Sequence, residues 1–255
     1  MLRLRTQIAE RNFDVDLEIT DFAVNATQHI VIMGPNGSGK STIIELLAGT
    51  LVPDDGFIRV GHDVLVDLDA QGKGKFVPPH ERSNGLLAQD PLLFPHLSVL
   101  DNVAFAPRSA GKPVNDAHLT AQRFLDLVDC AQFADRKPHE LSGGQAQRVA
   151  IARTLAAHPK MILLDEPMAA LDFDSVPDLL ALFKRILKER LSVMVTHDLM
   201  DAATFADYIV IMDRGHIAEA GPIGEVLANP QSPFGLKLAG YAQLRQRIEQ
   251  DNADS

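Results

Sequence analysis

The chain has a single cysteine, Cys130, so no internal disulfide can form. No cysteine pair and no Cys/His cluster has the spacing of a zinc site, and a reducing compartment fits this composition. Positive charge is also scarce: 24 Lys and Arg stand against 34 Asp and Glu, a net charge of -10. That is the wrong sign for a surface that meets nucleic-acid phosphates, so no nucleic-acid partner is expected. Long apolar runs are missing too. The longest, such as Met161 to Leu164 and Tyr208 to Met212, fall far short of the roughly 20 residues that span a bilayer. The amino terminus, Met1-Leu2-Arg3-Leu4-Arg5, alternates polar and apolar residues and has none of the apolar core of a secretory signal. Membrane association must then come through a partner. What is present suffices for a folded body: 255 residues that are 46% hydrophobic can bury a sizeable core, which argues against intrinsic disorder.

Short apolar runs bounded by turn residues are how strands buried on both faces of a parallel sheet read. They occur at Ile30 to Met33, Leu86 to Ala88, Met161 to Leu164, Leu191 to Val195 and Tyr208 to Met212, with helix-length stretches at Ser41 to Thr50, Gln145 to His158 and Val176 to Glu189. This alternation predicts an α/β fold around a central, mainly parallel sheet. The first 28 residues differ, because Leu2, Leu4, Thr6 and Ile8, then Val15, Leu17 and Ile19, alternate with polar neighbours. An antiparallel β edge is expected there, joined by Phe57 to Val60. The middle of the chain lacks strand patterning, and Leu119, Phe124, Leu125 and Val128 point to an inserted α-helical subdomain at about residues 91–155. Gly72-Lys73-Gly74-Lys75 and Pro78-Pro79 read as an exposed loop, and residues 241–255 as a polar C-terminal tail in which Gln243 to Ser255 is polar enough to fray.

Chemistry enters at Gly34-Pro35-Asn36-Gly37-Ser38-Gly39-Lys40-Ser41, which satisfies G-x-x-x-x-G-K-S/T between an apolar strand and the helix-like stretch from Thr42. The glycines let backbone N–H groups turn inward around phosphate, and the helix terminus adds the positive end of its dipole. Lys40 supplies charge to the β- and γ-phosphates of ATP, and Ser41 is placed to ligate Mg²⁺. A carboxylate for the metal should stand at the end of another buried strand. Met161-Ile162-Leu163-Leu164-Asp165-Glu166 provides Asp165 for the ion and, beside it, Glu166 to direct the attacking water.

A kinase or GTPase needs little more, yet Leu141-Ser142-Gly143-Gly144-Gln145 opens a further helix ahead of the Asp165 strand. Ser142, Gly143, Gly144 and Gln145 make a second phosphate-binding surface of N–H groups, hydroxyl and dipole. One γ-phosphate does not need both surfaces. The physical solution is a head-to-tail pair of chains in which each ATP lies between the phosphate loop of one and the Ser142 loop of the other.

With these motifs in this order, the chain resembles the ATP-binding cassette family, specifically the nucleotide-binding subunits of transporters, over about residues 1–240. The resemblance implies a P-loop NTPase core and further site residues. Gln89, after Leu86-Leu87-Ala88, matches the glutamine that senses Mg²⁺ and water; Asp172, in Ala169-Ala170-Leu171-Asp172, matches the loop that crosses the dimer interface; His197, after Val193-Met194-Val195-Thr196, matches the histidine that contacts the γ-phosphate. Adenine stacks on an aromatic near the amino terminus in the family. Phe13 is the first candidate and Phe22 the other, while a core role on the edge strand serves Phe13 equally well.

The stretch between Gln89 and Leu141 has no room for the coiled coil of chromosome-maintenance relatives, and a single cassette of net negative charge is unlike the soluble translation factors. Asp90-Pro91-Leu92-Leu93-Phe94-Pro95-His96-Leu97-Ser98-Val99 is apolar where a solvated loop would be polar. In the family this region receives a short coupling helix from the membrane subunit, although core packing of the insert would also explain it. Together with Pro79-His80-Glu81-Arg82 it looks like importers of oxyanions such as molybdate or sulfate, and of ferric ion or polyamines, with the molybdate type ranked first. The resemblance thus implies an ATPase on the cytoplasmic face of the membrane, a second ATPase subunit, permease subunits, and an extracytoplasmic solute-binding protein acting indirectly. Many such ATPases carry a carboxy-terminal regulatory domain, which this chain is expected to lack.

Overall fold

The computed structural model describes residues 1–19, 29–169, 176–188 and 190–253. The chain divides into two compact units, Met1–Arg82 with Leu191–Ser255, and Ser83–Arg190.

The first unit opens with β1 (Leu2–Ile8) and β2 (Phe13–Ile19), an antiparallel pair in which Leu4 faces Leu17 and Thr6 faces Val15. Alternation sends Leu2, Leu4, Thr6 and Ile8 of β1, and Phe13, Val15, Leu17 and Ile19 of β2, inward. On the outer face Arg3–Glu18 and Arg5–Asp16 form ion pairs at 3.7 and 3.9 Å. Exposed pairs of this kind contribute about 0–1 kcal/mol each, so the apolar face is what holds the sheet. After β3 (His29–Met33) and α1 (Lys40–Ala48), the chain returns to this sheet as β4 (Asp55–Val60), β5 (Asp63–Leu68) and β6 (Gly74–Phe76), in the order β2-β1-β4-β5-β6. The expected antiparallel edge is present, with Phe57 to Val60 in it. The loop expected at Gly72 to Lys75 is corrected: Gly74 and Lys75 are in β6, which pairs with β5 through Lys75 opposite Asp67 and Gly74 opposite Leu68. Three residues are too few for alternation to register.

The second unit begins with β7 (Asn84–Leu87), enters α2 (Val99–Ser109), α3 (Val114–Leu127) and α4 (Gly143–Ala156), and returns as β8 (Met161–Asp165), parallel to β7 with Leu87 beside Leu164. It ends with α5 (Val176–Ile186). Ser98 caps α2 by accepting the Asp101 N–H at 3.0 Å. Fully buried Asn102 holds the preceding loop, accepting from Phe94 N–H at 2.8 Å and donating to the Ser98 carbonyl at 2.9 Å. Cys130 is buried, and burial pushes its thiol up to about 11, so it stays protonated.

The chain then rejoins the first unit. The strands β9 (Leu191–Val195) and β10 (Tyr208–Asp213) both lie parallel to β3, one on each side. All five residues of β3 are buried, which is why it reads as a continuous apolar run. Between β9 and β10 runs α6 (Leu199–Phe205); β11 (His216–Pro222) forms a hairpin with β10, followed by α7 (Ile223–Ala228) and α8 (Pro233–Ala253). Glu219 of β11 accepts from Gln231 N–H at 2.8 Å and from the Ser232 hydroxyl at 2.6 Å, pinning the turn that starts α8. The fraying expected of the tail is corrected, because α8 runs to Ala253. Tyr241 to Asp251 contains no glycine or proline, and its Ala, Gln, Leu, Arg and Glu residues favour helix. Among the described residues no helix is long and apolar enough to cross a membrane.

One side chain anchors the far end of α1. Arg82, 5% exposed, donates Nη1 to the Leu46 and Leu47 carbonyls at 2.5 and 2.8 Å and Nε to the Val77 carbonyl at 2.7 Å. Burial lowers its pKa to about 10, so it remains charged at neutral pH and meets the negative end of the helix dipole. Arg82→Met should destabilise the protein by about 2–4 kcal/mol, since it leaves buried carbonyls without donors, and Arg82→Lys should recover part of that. Urea unfolding of the three proteins measures it.

Candidate functional site

The phosphate loop follows β3 directly. Gly34, Gly37 and Gly39 have φ of 146°, 78° and 100°, conformations that L side chains rarely adopt. At Gly34 space forbids a side chain as well: a Cβ would stand 2.2 Å from the Met212 carbonyl oxygen. Gly39 caps α1 without a side-chain bond, so no side chain competes for the N–H groups of the first turn. Lys40 is 6% exposed and its ammonium donates to the Gly34 and Pro35 carbonyls, each at 3.0 Å, which draws the lysine across the mouth of the loop. Pro35, Asn36, Gly37 and Ser41 are exposed, while Gly34, Ser38 and Thr42 are buried.

His197 leaves the end of β9 as the loop leaves the end of β3, and the two strands are parallel neighbours. The register carries past the strand, because Thr196 N–H donates to the Ile32 carbonyl at 3.2 Å. His197 itself is exposed. Its turn is tied down by three polar groups. The Thr196 hydroxyl donates to Asp201 at 3.2 Å and accepts from Asp198 N–H at 3.0 Å, and Asp198 caps α6 through Met200 and Asp201 N–H.

In the second unit, Gln89 and the Asp165-Glu166 pair leave the same end of the parallel pair β7 and β8. Gln89 is exposed, and both acids are half-buried. Glu166 has φ 45°, a left-handed backbone that costs a non-glycine residue on the order of 1 kcal/mol. The turn is held by Ala169 N–H donating to the Glu166 carbonyl and by Gln147 of α4 donating to the Pro167 carbonyl, both at 3.0 Å. Ser142 caps α4 in a reciprocal box: its hydroxyl accepts from Gln145 N–H at 3.3 Å, and Gln145 Oε1 accepts from Ser142 N–H at 3.0 Å. The hydroxyl keeps its own proton for an acceptor outside the helix. Gly143 and Gly144 form the first turn beside it.

Phe13 is corrected as the adenine platform. It is 3% exposed, and its ring carbons lie 3.0 and 3.1 Å from where a Cβ on Gly39 would stand. Its ring supports the phosphate loop from beneath and has no free face for a base. Phe22 and Asp172 lie outside the described residues. The apolar segment after Gln89 is not core: none of residues 91–98 is buried and Leu92 is 66% exposed. Arg153 of α4 holds it, donating to the Leu92 and Pro91 carbonyls at 2.6 and 2.8 Å.

Two contributors escaped the sequence reading. Gly215 turns the β10–β11 hairpin, donating its N–H to the Ser38 carbonyl at 3.0 Å while its own carbonyl accepts from Asp14 N–H at 3.1 Å. Arg214-Gly215 between two strand-like runs carries the hairpin signal that could have found it. Asp201, 3% exposed, is the other; a carboxylate one helical turn beyond the Asp198 cap resembles ordinary helix-start chemistry and so gives no separate signal.

Hard oxygen donors suit Mg²⁺: a hydroxyl at Ser41, an amide oxygen at Gln89 and a carboxylate at Asp165. Among the described residues no three His, Cys, Asp or Glu side chains gather as a self-sufficient metal cluster.

A parallel α/β core with such a loop, preceded by an antiparallel edge and joined to a unit whose helix α4 opens with a Ser-Gly-Gly cap, defines an ATP-binding cassette. The chain belongs to the ABC transporter family, whose pattern matches residues 17–169. It is 44% identical to the molybdenum import ATP-binding protein ModC of Mycobacterium tuberculosis, over 99% of this chain and 68% of that one. It is 37% identical to the sulfate/thiosulfate import ATP-binding protein CysA of Thermosynechococcus vestitus, over 93% of this chain and 68% of that one. Among solved structures, a dimeric ATP-binding cassette in a post-hydrolysis state with ADP and phosphate superposes with a TM-score of 0.71 at 28% identity, covering 87% of this chain and 98% of that one.

Burial pushes the Asp201 carboxyl up to about 6, the charge of Asp198 adds to this, and the Thr196 hydroxyl and His197 oppose it. The folded pKa lies above the unfolded one, so the stability this group contributes is present below about pH 4 and is lost as pH rises through about 6. Asp201→Asn keeps an oxygen for the Thr196 hydroxyl without the charge. It should be more stable than the native chain at about pH 7.5, by on the order of 1 kcal/mol or about 2–4 °C, with the gap closing toward pH 4. Thermal unfolding across that range measures it.

Proposed function

We propose that the chain is the ATP-hydrolysing subunit of a molybdate importer, working as a pair of cassettes beneath a membrane permease. The observation that carries the reading is the 44% identity to a molybdenum import ATPase across 99% of the chain, against 37% to a sulfate importer. The cargo acts through the solute-binding protein and permease.

In this reading the N–H groups of the Gly34 to Ser41 loop and the Lys40 ammonium bind the β- and γ-phosphates of ATP, with Thr42 beside them. Lys40 exchanges its two carbonyl partners for phosphate oxygens, a neutral for a charged acceptor, and this favours binding. Ser41, Gln89 and Asp165 would hold Mg²⁺, whose charge would neutralise the phosphate oxygens as the γ-phosphate is transferred. Glu166 accepts the proton of the attacking water, Gln89 orients that water, and His197 donates to the γ-phosphate. The second copy supplies Ser142, Gly143, Gly144 and Gln145 as donors to the same γ-phosphate, and its Asp172 crosses the interface. Binding energy from both copies closes the pair; hydrolysis removes the γ-phosphate that bridges them and lets it open. The exposed Leu92 to Leu97 segment, set by Arg153, passes this motion to a coupling helix of the permease at the cytoplasmic face.

Glu166→Gln should bind ATP with native affinity, lose hydrolysis by about 100-fold or more, and accumulate as an ATP-bound dimer on size exclusion. Near-native turnover would remove Glu166 from its role. The cargo is tested in vesicles holding the partner permease: a molybdate-loaded binding protein should stimulate ATP hydrolysis, and a sulfate-loaded one should not. Equal stimulation by sulfate overturns the choice of molybdate.

A further inference from the structure

Glu166 holds a backbone conformation that its own neighbour disfavours. A proline pushes the residue before it toward extended backbone, yet Glu166, directly before Pro167, lies at φ 45°. Such a residue keeps its conformation only where the surroundings over-determine it. Two bonds do so here. The Glu166 carbonyl accepts from Ala169 N–H, which closes the turn on itself, and the Pro167 carbonyl accepts from Nε2 of Gln147, which ties the turn to α4. Each is 3.0 Å long, so both carbonyls that flank the proline ring are committed.

The side chain that makes this tie is out of place in a core. Gln147 is 2% exposed and stands in a row with buried Ile151 and Leu155, four and eight residues on along α4. An apolar residue would suit that row. The orientation of the amide is fixed, because the Pro167 carbonyl can only accept and therefore faces Nε2, which turns Oε1 away. Oε1 is buried, and no donor among the described residues reaches it. A buried amide that uses part of its bonding capacity is less stable than an apolar side chain of the same shape. Packing does not account for glutamine at this position; the bond to Pro167 does.

We propose that Gln147 is a positioning residue for hydrolysis, fixing through the Pro167 carbonyl the turn from which the Glu166 carboxylate is aimed. This rests on the reading that Glu166 accepts the proton of the attacking water. A general base must lie within hydrogen-bond reach of the proton it takes, so turnover depends steeply on where that turn sits. Nucleotide binding belongs to the Gly34 to Ser41 loop, on separate elements of the fold. Loss of the tie therefore acts on turnover and spares affinity.

Gln147→Met keeps the length of the side chain and removes the donor; Gln147→His can present an N–H at nearly the distance of Nε2 on a bulkier ring. Hydrolysis, ATP titration and thermal unfolding are measured on the full chain. Gln147→Met should lower kcat about ten-fold, bind ATP within about two-fold of native, and melt within about 2 °C of it, since the lost bond is offset by removal of the unmet oxygen. Gln147→His should melt lower than Gln147→Met yet turn over faster, an inverted order that a purely structural role does not produce. In a Glu166→Gln background, Gln147→Met should cost nothing further in single-turnover hydrolysis, because it acts through the missing base. Native kcat in Gln147→Met overturns the proposal, as does turnover that falls in step with melting temperature across both variants. A matching loss of ATP affinity overturns it by assigning Gln147 to nucleotide binding, and a full additional loss in the Glu166→Gln background does so by showing a route that bypasses Glu166. The single variant Glu166→Gln is the separate control: near-native turnover there defeats the general-base reading itself, whatever Gln147 does.

Discussion

The Met212 carbonyl oxygen lies where a Cβ of Gly34 would stand, 2.2 Å away, and the geometry of the phosphate loop depends on that close approach. Only glycine lets β3 run flat against β10 to its last residue and then turn at φ 146°. The parallel register of β3 with β10 and β9 then sets where the neighbouring turns come out. Gly215 at the end of β10 can reach Ser38, and Thr196 at the end of β9 can reach Ile32. A side chain at position 34 would push the loop off this frame, and the frame fixes the backbone positions on which Lys40, Ser41 and His197 stand.

The same economy appears at α4. Ser142 and Gln145 satisfy each other's backbone N–H groups, so the helix end is stable by itself and the serine hydroxyl still has a proton to give. A residue that satisfies its own helix and can also donate outward suits a surface meant to be completed by another molecule. Arg153, further along α4, spends its guanidinium on the Pro91 and Leu92 carbonyls and so keeps an apolar, solvent-facing segment in one shape. One helix thus carries both the Ser142 cap and the arginine that holds Pro91 and Leu92 within the second unit.

Some of the backbone strain in these units stands near the candidate site. Glu166 and Leu92 hold left-handed backbones without being glycine, and each has its neighbouring carbonyls bonded by a side chain of α4. Asp201 is a buried carboxylate whose burial disfavours its charge, kept where it fixes the Thr196 hydroxyl next to His197. These features cost stability and are offset by the apolar strands β3, β8 and β9, which are buried almost throughout.

Much of this was legible in residue order. Apolar runs such as Leu191 to Val195 mark strands because a strand covered on both faces must be apolar throughout, and Gly34 to Ser41 and Ser142 to Gln145 read as candidate phosphate-binding turns because glycine and small hydroxyls there leave N–H groups open. Those signals are local, so the chain states them locally. The role of Phe13 was not legible, since an aromatic that stacks on a base and one that packs under a glycine look identical until the turn at Asn12 is placed. Neither β6 nor the helical course of residues 241–253 was legible: one is too short to alternate, and the other has a polar composition that a loose tail and a helix share. Gln147, Gly215 and Asp201 gain their roles only through partners 20, 177 and 5 residues away, Pro167, Ser38 and Thr196. The sequence determined which backbone turns could bind phosphate; the tertiary structure decided which side chains stand around them, because contacts between distant segments are set by strand register and close packing.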